Sequence, residues 1–183
     1  MSPVFTLTAL QILLGCSATP NYPELNPRLQ TYQDVSKAFP LAQTWYVLYR
    51  NYEKDPAFGT SKCLRHNHLK SERDGQYQTF AQYGEDKSAK ERVTLGSTEG
   101  YTAKNVINIH PEGQNITLPL YISFLDVNKC AVGRSIYVNE DACSVAVPED
   151  QLGESTTCCD FIYDLLCGTY KYQISDTSCK NQH

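Results

Sequence analysis

The sequence lacks most of the features that would mark a known chemistry. No apolar run is long enough to cross a bilayer: the longest covers residues 7–14, against the ~20 residues a helical span needs. No C-x-x-C pair occurs, which leaves no zinc ribbon and no thioredoxin-type redox site to consider. G-x-S-x-G, H-E-x-x-H, a phosphate loop and a glycine-rich dinucleotide turn are all missing, and with them the nucleophile elbow, protease zinc helix and nucleotide cradle those motifs build. The 16 basic residues are outnumbered by 20 acidic ones and are dispersed, so the electrostatic footprint for nucleic acid or an anionic membrane surface is absent. The expectation is a protein without catalytic residues, metal, cofactor, nucleic-acid partner or membrane contact.

What is present points to a small secreted domain. At 183 residues with no break in composition, the chain is long enough for one domain with a real core or an enclosed cavity. Residues 1–18 carry no charged side chain and end in small residues at Cys16 and Ala18, the pattern of a signal peptide, leaving 19–183 as the mature, extracellular domain. The "LLGC" stretch also matches a lipoprotein box, but the segment before it has no Lys or Arg. Of eight cysteines, cleavage after Ala18 removes Cys16 and leaves seven; cleavage just before Cys16 retains all eight, and the two outcomes stay open. In an oxidising compartment they read as a disulfide framework, and "NIT" at Asn115 reads as a glycosylation acceptor.

Periodicity supplies the architecture. Tyr32, Val35 and Phe39 stand at helical spacing over 32–39. Eight strand candidates follow, at 44–52, 62–70, 76–83, 91–95, 104–110, 116–126, 130–138 and 143–147, separated by turn signals such as "RDGQ", "YGED" and "HPEG". Residues 157–167 form a second helix, with a threonine N-cap candidate, Gly168 as C-cap and an apolar stripe through Cys158, Phe161, Ile162 and Leu165. A last strand lies in "YKYQIS". Eight sequential antiparallel strands close into an up-and-down barrel able to hold one small ligand. The fold class is therefore all-β with flanking helices, with the first helix across one end of the barrel and the second against its wall. Trp45 is expected to be buried at the closed end, with Val47 and Tyr49 on the same inward face.

"TWYVLYRNYEKDPAFGTSKC", the "DVNKC" hairpin and the C-terminal "CC", "YDLLCGTYKY" and "SC", in that order and spacing, resemble the tick salivary lipocalins, the family of the histamine-binding proteins. The resemblance covers nearly all of the mature chain. It implies a secreted, monomeric barrel that sequesters a small host mediator (histamine, serotonin, a leukotriene or thromboxane) or, in some members, a host protein such as complement. It also implies a bridge between Cys63 and Cys179, a second between Cys130 and Cys159 or Cys158, and a third available to Cys143 and Cys167. Each would add about 2–4 kcal/mol by restricting the unfolded chain.

The departures from the family pattern bear on the ligand. Amine-binding members carry an acidic residue directly after the hairpin cysteine and a Glu-Leu-Trp-like run in the next strand; here those positions are Ala131 and "SVA" at 144–146. An ammonium desolvated without a carboxylate partner forfeits several kcal/mol, so that site disfavours amines. Strand parity turns Ala131, Gly133, Ser135 and Tyr137 inward opposite Ser144 and Ala146, and gives Leu118, Leu120, Ile122 and Phe124 one common face. The lumen so lined is roomy and apolar, suited to an acyl or eicosanoid chain. The ligand-binding candidates are Trp45, Val47, Tyr49, Leu120, Ile122, Phe124, Ala131, Tyr137, Ser144 and Ala146. A lipid or fatty acid is the favoured ligand, with a biogenic amine, or a host protein bound through the loops, as alternatives. Parity places Arg50 and Arg134 outside the barrel and leaves no basic residue assigned to a lipid head group. His66 and His68 share one face of a strand, as a solvated pair and not a metal site, and Asp160 and Asp164 belong to a charged outer helix face.

Overall fold

The computed structural model of the protein describes residues 22–71 and 75–181; the signal-peptide reading of 1–18 lies outside them. Eight strands run β1 (Trp45–Arg50), β2 (Arg65–Ser71), β3 (Gln76–Tyr83), β4 (Lys87–Gly96), β5 (Val106–Pro111), β6 (Leu118–Asp126), β7 (Cys130–Arg134) and β8 (Cys143–Pro148). Each pairs antiparallel with the next, and β1 pairs with β8 along its length. The ring closes through two residue pairs at the start of β1, Trp45 with His66 and Tyr46 with Arg65. A short β9 (Tyr172–Gln173) then extends the sheet beside the end of β1. The expected up-and-down barrel is therefore formed, and closure leaves most of the sheet without a free edge.

Period-two alternation sorts the two faces of the wall. In β8, Cys143, Val145 and Val147 are fully buried on the outer face while Ser144 and Ala146 turn to the lumen. The outer set forms the main apolar core with Tyr46, Tyr49, Val132, Leu152 and Tyr163, beneath helix α1 (Thr157–Cys167). That helix has the expected bounds and ends at Gly168, whose φ of 79° suits a residue without Cβ. Its buried face differs from the expected one. Cys159 and Tyr163 face the barrel, whereas Cys158 is exposed and Phe161 and Leu165 are 64% and 68% exposed. Disulfides at Cys159 and Cys167 decide the rotation, because positions eight apart lie on one side of a helix.

Three bridges staple the structure: Cys63–Cys179, Cys130–Cys159 and Cys143–Cys167. Cys158 is a free thiol on the surface.

The N-terminal segment is not the single helix expected over 32–39. It comprises three 3-10 turns, Pro23–Leu25, Pro27–Tyr32 and Val35–Lys37. An α-helix cannot run through Tyr32 to Lys37, because the Val35 amide donates to the Lys104 carbonyl and the Asp34 side chain accepts from the Ser36 amide. Tyr32 is consequently 60% exposed while Val35 is buried. Polar contacts fasten the segment to the barrel. Glu24 accepts from the guanidinium of Arg134 and from Ser123 Oγ, and Gln33 Nε2 donates to the carbonyl of Ser123 at 3.2 Å. Arg134 does lie outside the lumen, yet it is buried under this segment.

Candidate functional site

Two β-bulges determine which side chains reach the interior. In β1 the register with β8 shifts between Val47 and Tyr49, leaving Leu48 as the extra residue. Beyond it the parity reverses: Tyr49 faces outward, its ring 4.9 Å from that of Tyr163 and its hydroxyl donating to Asp160. Arg50 is turned the other way and is buried, with Nε donating to the Tyr52 carbonyl at 3.0 Å and Nη1 3.7 Å from Asp55. A second bulge, between Ile122 and Phe124 in β6, sends Phe124 outward to the core under α1 and brings Leu125 to the lumen instead. Tyr49 and Phe124 are thus not lumen residues, and Arg50 is not on the outer surface.

Chain segments enter the barrel from both ends. Val35, Ala38, Phe39 and Leu41 press in beside Trp45, with the Phe39 ring tilted against that of Tyr77, centroids 5.1 Å apart. At the other end the β1–β2 connection folds back around Asp55. Its Oδ1 accepts from the Ala57 and Phe58 amides at 2.8 and 3.1 Å, and its Oδ2 accepts from the hydroxyls of Tyr52 and Tyr137 at 3.2 and 3.0 Å. Burial, with the Asp55 carboxylate beside it, pushes the Tyr52 phenol up to about 12, so it remains a donor. Tyr137 is held in this cluster and does not line the cavity, contrary to expectation.

Between the two plugs lies a cavity of about 120 Å³, much smaller than the roomy lumen expected from its small residues. Trp45, Val47, Leu120, Ile122, Ala131, Ser144 and Ala146, all candidates from strand parity, stand in its wall. Trp45 is only half-buried and is one side of the cavity, not a plug filling the barrel end. Gly133 keeps Leu120 in place, since a Cβ there would fall 2.8 Å from Leu120 Cδ1.

Apart from the Ser144 hydroxyl, the wall is apolar except at one polar cluster, which sequence reasoning missed. Glu91 on β4 points into the cavity, directly across the ladder from Thr79 on β3, whose hydroxyl donates to Glu91 Oε2 at 3.0 Å. His66 on β2 puts Nδ1 3.1 Å from the same oxygen. Glu91 is 2% exposed, and its Oε1 has no hydrogen-bond partner among the described residues. Burial opposes a charge on His66, but the Glu91 carboxylate, helped by Asp55, outweighs it and raises the imidazole above its ordinary value. A buried carboxylate oxygen without a donor is costly; a cationic donor in the cavity would satisfy it. His66 therefore belongs to the lumen, not to a solvated face, and among the described residues no three His, Cys, Asp or Glu side chains converge to hold a metal. The signal was available: Glu91 stands in phase with Val93 and Leu95, on the inward parity of its strand.

The remaining expected positions lie elsewhere. Asn115 is exposed in the β5–β6 connection. Asp160 and Asp164 bind Lys171 at 3.3 and 3.1 Å on the outside of α1.

Residues 23–181 match the family model described as tick histamine binding protein. Solved structures similar to this chain include the serotonin complex of AM182, at 17% identity and a TM-score of 0.53, covering 85% of this chain and 95% of that one. Japanin from Rhipicephalus appendiculatus bound to cholesterol is similar at 11% identity and a TM-score of 0.53, covering 85% and 98%. Lobster apocrustacyanin A1 is similar at 14% identity and 0.54, covering 83% and 86%. At these identities the likeness is one of fold. A comparison with curated proteins finds no match.

Proposed function

The chain belongs to the tick histamine-binding protein family, and on that premise we propose that it is a secreted ligand-binding lipocalin that sequesters a compact organic amine, with Glu91 as the counter-charge. The observation carrying this reading is the buried Oε1 of Glu91, without a hydrogen-bond partner among the described residues, in the wall of a mostly apolar cavity. An ammonium seated there donates a charge-assisted hydrogen bond, while its ring or short chain rests on Trp45, Val47 and Ile107. The size agrees. A cavity of about 120 Å³ is of the order of the ~150 Å³ engineered cavity that takes up benzene, so a compact aromatic amine is of the right size.

The counter-charge missing at Ala131 and at 144–146 is thus supplied from β4, on the other side of the barrel. This reverses the preference for a fatty acid, whose carboxylate would approach a second buried carboxylate. A neutral lipid is the second reading, supported by the apolar wall and by the cholesterol complex of japanin; it requires the plugs at 35–41 and 55–59 to withdraw. Extracellular residence is supported by the three disulfides.

The test uses the single tryptophan of the chain. Because Trp45 lines the cavity, serotonin or histamine should change its fluorescence saturably and with sub-micromolar affinity, and calorimetry should show one site. No response to either amine, with saturable binding of cholesterol or a fatty acid, would transfer the function to lipids.

A further inference from the structure

We infer that amine uptake by this barrel is a proton exchange: an ammonium entering the cavity displaces one proton from His66. The inference rests on the amine reading above and concerns how that site is regulated. Its basis is geometric. Glu91 has two buried oxygens in the cavity wall, and His66 occupies one of them, with Nδ1 3.1 Å from Oε2, while Oε1 is left for a ligand. Imidazolium and ammonium would then share one buried carboxylate at close quarters, where like charges repel more strongly than on an open surface.

Among the described residues, only the more distant Asp55 adds to Glu91 in offsetting positive charge at His66. From β3 His66 meets Thr79 and Ala81, and from β1 Trp45, none of which titrates in this range. From the β1–β2 connection it meets the ring of Phe58, 5.9 Å away, and the more distant Asp55, which is already paired with Arg50 and accepts from two phenols. Among the described residues, Glu91 is the one acidic side chain in the cavity wall. The exchange needs no rearrangement: loss of the proton from Nε2 leaves Nδ1–H still donating to Glu91 Oε2, and the proton passes to buffer. Burial opposes the His66 charge, but the Glu91 carboxylate outweighs it and holds the imidazole above its ordinary value, so the proton to be displaced is present below that raised pKa.

The consequence is a ligand grip that weakens on acidification. Below the His66 pKa, affinity for an amine should fall about tenfold for each pH unit, and above it affinity should level off. Serotonin is the suitable probe, because its ammonium, unlike the imidazole of histamine, stays protonated throughout the range pH ~5.5–8. Calorimetry of the full mature protein, repeated in buffers of different ionisation enthalpy, should report release of close to one proton per serotonin at the acid end and close to none at the alkaline end. His66→Asn should abolish both the proton release and the slope, whatever its own affinity.

Serotonin binding with a flat pH profile and buffer-independent heat would overturn the exchange while leaving the amine reading intact. A slope that persists in His66→Asn would assign the proton elsewhere and equally overturn it. Absence of serotonin and histamine binding at every pH would remove the amine reading and the exchange with it. The wild-type measurements alone decide the matter if the variant fails to fold.

Discussion

Nδ1 of His66 lies 3.1 Å from Oε2 of Glu91, the two side chains reaching each other inside the barrel from β2 and β4. The ligand chemistry turns on the second of these residues. Glu91→Gln keeps the shape and the acceptor for Thr79 but removes the charge. Serotonin affinity should fall at least roughly thirtyfold, equivalent to about 2 kcal/mol, as expected when a buried charge loses its partner. Titration of Trp45 fluorescence reads it out. Equal affinity in both proteins would place the amine's counter-charge elsewhere.

The same pair carries a signature in the ligand-free protein. The folded-state pKa of His66 is raised, so its contribution to stability is fully present below the ordinary imidazole value of ~6.5 and is lost as pH rises through the higher folded value. Wild type should therefore exceed Glu91→Gln in thermal stability most at about pH 5.5, with the gap narrowing towards about pH 8. A gap that widens with rising pH would contradict the assignment.

Tyr49 discriminates between a regular and a bulged β1. As an outward residue donating to Asp160, it should lose about 1–3 kcal/mol of stability on replacement by Phe, the usual effect of removing a hydrogen bond to a charged group, with serotonin binding unchanged. Chemical denaturation and the fluorescence titration together test this. An altered affinity with unaltered stability would mean that the ring faces the ligand.

The Glu24–Arg134 pair should behave as a buried bolt, both side chains being almost fully enclosed. Glu24→Ala strands a guanidinium under the N-terminal turns, and a loss of about 3–5 kcal/mol in the denaturation midpoint is expected. A change below about 1 kcal/mol would indicate that solvent reaches Arg134.

Cys63 and Cys179 are 116 residues apart in sequence, so their bridge constrains more of the unfolded chain than either of the other two. Replacing both by Ser should cost about 2–5 kcal/mol, whereas Cys158→Ser should be silent. Non-reducing peptide mapping should recover Cys158 as a free thiol and the six bridged cysteines in three pairs. Any bridge containing Cys158 would refute the arrangement at the start of α1.

Local chemistry was enough for the architecture. Turn residues at "RDGQ" and "YGED" delimit β3 at the residues where the structure starts and ends it, and Gly168 ends α1 because only a residue without Cβ sits easily at its φ of 79°. Alternation also sorted Ala131, Ser144 and Ala146 towards the lumen. It failed at Tyr49, Arg50 and Phe124, each lying beyond a bulge. One inserted residue reverses the parity of all that follow, and nothing in "WYVLYR" or "LPLYISFLD" marks Leu48 or Ser123 as the extra one. The stripe on α1 was misread for a related reason: Cys158 and Cys159 offer two adjacent faces, and only the bridge to Cys130 selects between them. The candidate site was hidden more deeply. The inward parity of Glu91 could be read beside Val93 and Leu95, but its meeting with Thr79 and His66 depends on the register of three strands at once. Pairing across hairpins sets that register, and no single stretch of sequence contains it. The chain thus determined by itself that there would be a stapled barrel with an apolar interior; the tertiary structure decided that a buried carboxylate would face that interior, because only closure of the ring brings β1, β2 and β4 around one space.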